Sequence, residues 1–167
     1  MSSSNQQKHQ SWNPLRQMFL RPFQRRLLDA IGKLQLSSLL EVGAGEGFVM
    51  DLLGQRFPAL KIRGLDVQPE VVAEGKRLFP HLDLQIGDIY HIPEPDCSWD
   101  MVLASEVLEH LERPAEALKE LKRVTSSYVI LSVPNEPWFR MLNFARGKHW
   151  SRLGNHPEHI NTWTRGA

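Results

Sequence analysis

The sequence predicts an α/β fold: a doubly wound sheet of five parallel strands with flanking helices. Three observations predict it. Short apolar runs alternate with helix-patterned stretches in the order β-α-β-α-β-β-α-β, with short connections, as in a parallel sheet built from crossover helices. The run Met101-Val102-Leu103-Ala104 is apolar throughout, as expected of a strand covered on both faces. The first strand runs directly into Gly43-Ala44-Gly45-Glu46-Gly47, where glycine stands at every second position, a sharp turn into a helix.

Residues 1–13 are polar and rich in Ser and Gln, and disorder is expected there. Residues 14–167 form one domain at this length. From Leu15 the apolar residues Met18, Phe19, Phe23, Leu27, Ile31 and Leu34 follow helical spacing. Pro22 lies within that stretch and predicts two helices or a kink. Arg16, Arg21, Arg25 and Arg26 populate its polar side. The first strand is Ser38 to Val42. Phe48 to Phe57 carries a helical pattern that stops before Pro58. Leu60 to Val67 is the second strand, with Asp66 near its carboxyl end. Pro69 opens a helix to Phe79, since proline suits the first helical turn, and Pro80 blocks its continuation. Leu82 to Ile86 is the third strand, followed by Gly87 and Asp88. Pro93-Glu94-Pro95-Asp96 is a loop. Asp100 to Ala104 is the fourth strand, Pro114 to Val124 a helix, and Tyr128 to Val133 the fifth strand.

Composition excludes several classes. The net charge is +1, which argues neither for nucleic acid nor for a membrane surface. The single cysteine, Cys97, cannot form an intrachain disulfide and fits a reducing, cytoplasmic setting. No window approaches the roughly 18 apolar residues of a membrane span, and the amino-terminal stretch lacks the apolar centre of a signal peptide.

The chemistry gathers at the carboxyl ends of the strands, where ligands bind in open parallel sheets. Gly43, Gly45 and Gly47 line that crevice and let a ligand approach the main chain. Asp66 comes 19 positions after Gly47, near the offset at which an acid accepts both hydroxyls of a ribose. A dinucleotide site reads G-x-G-x-x-G, yet Phe48 stands where its third glycine belongs. Glu46 would also place a carboxylate beside a pyrophosphate, which is unfavourable. The ligand expected is therefore a nucleoside without phosphates, with a charged amino group that Glu41 helps to hold.

These residues resemble a known family. Glu41-Val42-Gly43-Ala44-Gly45-Glu46-Gly47 resembles the first motif of class I S-adenosylmethionine-dependent methyltransferases. Gly64-Leu65-Asp66-Val67 is similar to their ribose-binding motif, and Gly87-Asp88-Ile89 to the segment whose acid contacts the adenine amino group. Asp100 to Leu111 resembles the fourth strand and its following loop, and Leu131-Ser132-Val133-Pro134-Asn135 the end of the fifth. Order and spacing are kept from about Leu36 to Asn135. The resemblance implies a Rossmann-like sheet in the order 3-2-1-4-5 and S-adenosyl-L-methionine as cofactor. It implies that Gly43, Ala44, Gly45 and Gly47 cradle the methionine part, and that Asp66, with Val67 beside it, holds the ribose. Asp88 and Ile89 would bracket the adenine, and Ser105 and Glu106 would sit by the sulfonium. The expected reaction is methyl transfer to a small-molecule acceptor, with rate coming mainly from positioning.

A second constellation allows several readings. Glu106, Glu109 and His110 lie at i, i+3 and i+4, on one face if the segment is a helical turn. With His156 and His159 they could bind Mn²⁺ or Mg²⁺. The Glu-x-x-Glu-His run and the later His-x-x-x-Trp-Thr-Arg are similar to metal-dependent methyltransferases that cap small RNAs at the 3′-terminal 2′-hydroxyl, with Glu106, Glu109, His110 and His159 as ligands. Equally, Glu-His-Leu after the fourth strand is widespread in small-molecule methyltransferases, where it need not bind metal. His110 is then a candidate general base, its ordinary pKa lying near neutrality, or only a capping or packing residue.

Trp138, Phe139, Arg140, Met141, Phe144, Arg146, Lys148, His149, Trp150 and Arg152 make the stretch after the fifth strand aromatic and basic. Such a mixture stacks on bases, lines an acceptor pocket, or forms an amphipathic helix packed on the sheet. The packed helix is favoured for Leu142 and Phe144, and Trp138 and Arg140 are left as substrate candidates. Relatives usually add two antiparallel strands beside the fifth, and residues 134–167 contain no convincing strand pair. A sheet without that hairpin is expected: either the tail or a partner covers its fifth-strand edge, or the domain is truncated at its carboxyl end as a fragment of a longer protein. A truncated cofactor-binding module without catalysis is the remaining alternative.

Overall fold

The computed structural model describes residues 14–133, with backbone only over 14–21. The expectations for residues 1–13, for the basic aromatic stretch, for His156 and His159 and for the missing hairpin lie outside the described residues.

The element order is α1 (Pro14–Ile31), β1 (Ser38–Val42), α2 (Phe48–Arg56), β2 (Lys61–Asp66), α3 (Pro69–Leu78), β3 (Asp83–Ile86), β4 (Trp99–Ser105), a 3₁₀ turn (Leu108–His110), α4 (Pro114–Val124) and β5 (Thr125–Ser132). The five strands form one sheet in the order β3-β2-β1-β4-β5, and every pairing is parallel. Chain direction across the sheet reverses at β1, where β2 lies on one side and β4 on the other. The chain leaves β1 for β2 on one side and returns from β3 past β1 to β4 on the other, which leaves a crevice above the carboxyl ends of β1 and β4.

Burial of both sheet faces fixes the register. On one face Leu40, Val42, Leu65, Val102 and Ala104 pack under Ala117, Leu121 and Val124 of α4. On the other, Leu39, Met101 and Leu103 meet Leu27 and Ile31 of α1 and Leu53 of α2. That layer continues through Ala44, Met50, Leu84 and Val72 of α3. Successive residues of β1 thus enter opposite layers, and a slip of one residue would exchange them.

Two expectations need correction. The stretch through Pro22 is not two helices: one helix of 18 residues, α1, runs through it. Proline removes one backbone donor and crowds one carbonyl, but Phe23, Leu27 and Ile31 anchor the following turns on the sheet. The fifth strand begins at Thr125 rather than Tyr128, directly after α4. The Thr125 hydroxyl donates to the Leu121 carbonyl at 2.5 Å and closes the helix as the strand begins. Its first residues, Thr125-Ser126-Ser127, are polar and partly or wholly exposed, so no apolar run announces them.

The amino-terminal ends of the strands are tied by structural contacts. Asp100 Oδ2 accepts from the main-chain N–H of Ser37 and Ser38 at 2.7 and 3.0 Å. Arg63 donates to Asp83 and Glu94 at 2.6 and 2.8 Å. The opposite end is left to the glycine turn and the loops after β2, β3 and β4.

Candidate cofactor site

The glycine turn is held open by backbone geometry. Gly43, Gly45 and Gly47 all have positive φ, at 77°, 58° and 89°. At Gly43 there is a second constraint, since a Cβ would stand 2.3 Å from Cγ2 of Val107. The turn after β1 therefore packs directly against the loop after β4. Main-chain N–H groups of Gly43 and Ala44 both donate to the Leu65 carbonyl, at 2.8 and 2.9 Å, which fastens the turn to β2.

Asp66 joins the same construction. Its Oδ2 accepts from Gly45 N–H at 2.8 Å, and its Oδ1 accepts from Gln68 N–H at 3.0 Å. The carboxylate is half-buried. A carboxylate offers about four acceptor directions, so two bonds to the protein leave capacity for two ribose hydroxyls. Asp66 thus positions the turn as well as presenting an acceptor at the rim.

Around it stand two large apolar side chains in solvent. Val67, just after β2, is 63% exposed, and Ile86, paired with Asp66 in β3, is 58% exposed. Apolar groups at the ends of two adjacent strands suit the face of a flat base. Val67 was expected at this place. Ile86 was not, and its signal in the sequence was no more than an apolar residue at the carboxyl end of a strand. Asp88 is exposed, and its Oδ1 accepts from Tyr90 N–H at 2.9 Å. The side chain of Ile89 is buried with Leu40, Val42 and Leu65 in the core.

Glu41 lies under the turn, in the fourth position of β1. It pairs with Gly64 and Leu103 and is 2% exposed. Its Oε2 has no hydrogen-bond partner among the described residues. Burial, and after it the negative charge of Asp66, push its pKa up to about 8.

At the end of β4, Ser105 Oγ is 2.8 Å from Ser132 Oγ of β5. Glu106 has φ 58° and its N–H donates to the Ser132 carbonyl at 3.0 Å. The Ser132 hydroxyl donates to Glu106 Oε1 at 3.4 Å. Val107, which follows them, packs against Gly43 of the glycine turn. Ser132 and Val107 were not among the expected site residues, because hydroxyls and β-branched side chains carry no motif of their own.

The second constellation is not gathered as helical spacing suggests. Only Leu108–His110 form a turn, a 3₁₀ one, and Glu106 precedes it in left-handed backbone. Glu109 is buried, while Glu106 and His110 are exposed. Among the described residues no group of three His, Cys, Asp or Glu side chains is placed to hold a metal ion.

The arrangement fits the cofactor implied by the motifs. It offers a main-chain cradle that a Cβ would fill, an acid with spare acceptor capacity at the ribose distance, an apolar rim, and an orphaned carboxyl oxygen for a cation. The comparisons agree. The family model described as "Methyltransferase domain" matches residues 40–132. A Mycolicibacterium smegmatis protein named "Probable S-adenosylmethionine-dependent methyltransferase" is 34% identical over 60% of this chain and 39% of its own length. An Escherichia coli trans-aconitate 2-methyltransferase is 28% identical over 73% of this chain and 50% of its own. The crystal structure of a SAM-dependent methyltransferase from Aquifex aeolicus superposes with a TM-score of 0.56 at 26% identity, covering 65% of this chain and 62% of that one. The chain spans half or less of the length of these two curated relatives.

Proposed function

Given that the chain belongs to the methyltransferase-domain family of class I S-adenosylmethionine-dependent enzymes, we propose that it transfers a methyl group to a small-molecule acceptor. The observation that carries this reading is the crevice above β1 and β4. It combines the glycine cradle, the Asp66 carboxylate and the apolar rim of Val67 and Ile86 on one side with the Ser105–Glu106–Val107 loop on the other. Bound S-adenosylmethionine supplies a methyl group activated on a sulfonium sulfur.

Each residue then has a task. Gly43, Ala44, Gly45 and Gly47 let the methionine part lie against the main chain. Glu41 lies near its ammonium, Asp66 accepts from the ribose hydroxyls, and Val67 and Ile86 flank the base, with Asp88 near its amino group. With the ribose held at β2, Ser105 and Glu106, at the switch between β1 and β4, would lie by the sulfonium. An acceptor enters from that side. Holding it in line with the methyl group converts a two-body reaction into an oriented one, an effect worth up to roughly 7–11 kcal/mol. His110, exposed just after the 3₁₀ turn's first residues, is the proposed acceptor of the proton released by a hydroxyl or amine substrate. A small acceptor agrees with the trans-aconitate enzyme among the relatives and with a net charge of +1 that gives nucleic acid no general attraction. The exposed thiol of Cys97 suits the reducing cytoplasm. Among the described residues no helix is long and apolar enough to cross a membrane.

The test is incubation of the full chain with methyl-labelled cofactor and pooled small metabolites, read by mass spectrometry, with an RNA pool in parallel. Label in a small molecule, lost on His110→Ala, is the expected result. Label in RNA alone would contradict the small acceptor. Cofactor binding with no label moved in any pool would instead identify a binding module.

A further inference from the structure

We propose that cofactor binding ionises Glu41: the ammonium group of the methionine part replaces the proton that the cofactor-free protein keeps on this buried carboxyl, and one proton leaves for each cofactor bound. The inference rests on the site reading above and adds a linkage to it.

The geometry places a carboxyl group where its charged form has no support. Glu41 stands two residues before Gly43 and, by register with Gly64, on the same sheet face as Asp66. It is 2% exposed, and Oε2 lacks a partner among the described residues. The cluster of described residues on this face is apolar. From α1 come Phe23, Leu27, Leu28 and Ile31, and from β4 Met101 and Leu103, all apolar. Among the described residues the charge that acts on it is another acid, Asp66 at the end of β2. An unpaired carboxylate in such a place is costly, so the group protonates instead. Its pKa, pushed up by burial and then by Asp66, is about 8, so it is mostly neutral near pH 7.

A ligand ammonium reverses the balance. It supplies the missing opposite charge and a hydrogen-bond donor to Oε2, both of which favour the carboxylate. The atoms balance simply: Glu–COOH and ligand–NH₃⁺ give Glu–COO⁻ paired with ⁺H₃N–ligand, and H⁺ passes to the buffer. Affinity for an ammonium-bearing ligand therefore rises with pH below the titration of the free acid, approaching tenfold per pH unit.

Isothermal titration of the full chain with S-adenosylhomocysteine, in buffers of unlike ionisation enthalpy, counts the protons. Near pH 7 close to one proton should be released per site, and the dissociation constant should tighten from pH 6 to pH 8. The probe 5′-methylthioadenosine, which has the same nucleoside but no ammonium, should release none. Glu41→Gln keeps the size and burial of the side chain but has no proton to lose, and should bind S-adenosylhomocysteine without proton release. Binding of S-adenosylhomocysteine with no proton exchange in the unmutated chain overturns the inference and leaves the site reading standing. Equal release with 5′-methylthioadenosine, or undiminished release in Glu41→Gln, also overturns it. Failure of S-adenosylhomocysteine to bind at any pH overturns the site reading and the linkage together.

Discussion

At the scale of single residues, the site depends on side chains whose surroundings alter what their type alone suggests. Glu41 is the clearest. Its pKa is raised above the ordinary value, so the folded chain holds more protons than the unfolded chain between about pH 4.5 and 8. Its contribution to stability is thus fully present below the unfolded pKa and is lost as pH rises through the folded one. Without cofactor, the melting temperature of the wild-type chain should fall from pH 5 to pH 8 more than that of Glu41→Gln. Thermal denaturation at several pH values checks this, and parallel curves would contradict it. Much at this scale was legible in the sequence. Asp66 was identified by its offset from the glycines, and it does stand at the end of β2 against Gly45. Its second task, accepting from Gly45 and Gln68, has no sequence signature, because main-chain donors look alike in every sequence. The burial of Ile89 was not legible for a related reason. An apolar residue beside a rim acid suits a base or a core equally, and here the core took it.

At the scale of elements, the turn after β1 and the loop after β4 form one unit. Gly43→Ala should cost about 2–4 kcal/mol, because a left-handed φ and an overpacked contact with Val107 add. Adding Val107→Ala should recover the packing part and leave the backbone part. Chemical denaturation of the two single variants and the double variant measures both, and additive effects would contradict a direct contact. The glycine spacing was readable, but its partner was not, since the approach of Val107 joins residues 64 positions apart. Strands and helices with apolar runs were placed nearly to the residue. The start of β5 was missed because Thr125, Ser126 and Ser127 lie partly or wholly in solvent, and solvent imposes no pattern. The Glu106, Glu109 and His110 spacing misled because it assumes 3.6 residues per turn. The left-handed Glu106 and a three-residue 3₁₀ turn separate the three groups instead.

At the scale of the whole molecule, a parallel sheet with α1, α2 and α3 on one face and α4 on the other leaves its chemistry at one end. The strand order was legible because crossovers are short and of one hand, and the observed order is the one the motifs implied. What covers the outer side of β5 was not, since Tyr128, Val129 and Leu131 carry an alternation broken by their own exposure of 40% or more. A ligand that binds only the folded chain stabilises all of it. S-adenosylhomocysteine at a hundredfold excess over its dissociation constant should add about 2.7 kcal/mol. That corresponds to a rise in melting temperature of about 5–10 °C for a domain of this size. Scanning fluorimetry reads it, and an unmoved transition at saturating ligand would contradict cofactor binding by the fold. The central claim is that the glycine turn and Asp66 together form the cofactor site. Calorimetric titration of wild-type and Asp66→Ala chains with S-adenosylhomocysteine tests it most directly. Saturable one-to-one binding is expected of the wild type and, with two ribose bonds lost and the turn loosened, affinity at least tenfold weaker in the variant; equal affinity in the two chains would contradict a site built on Asp66.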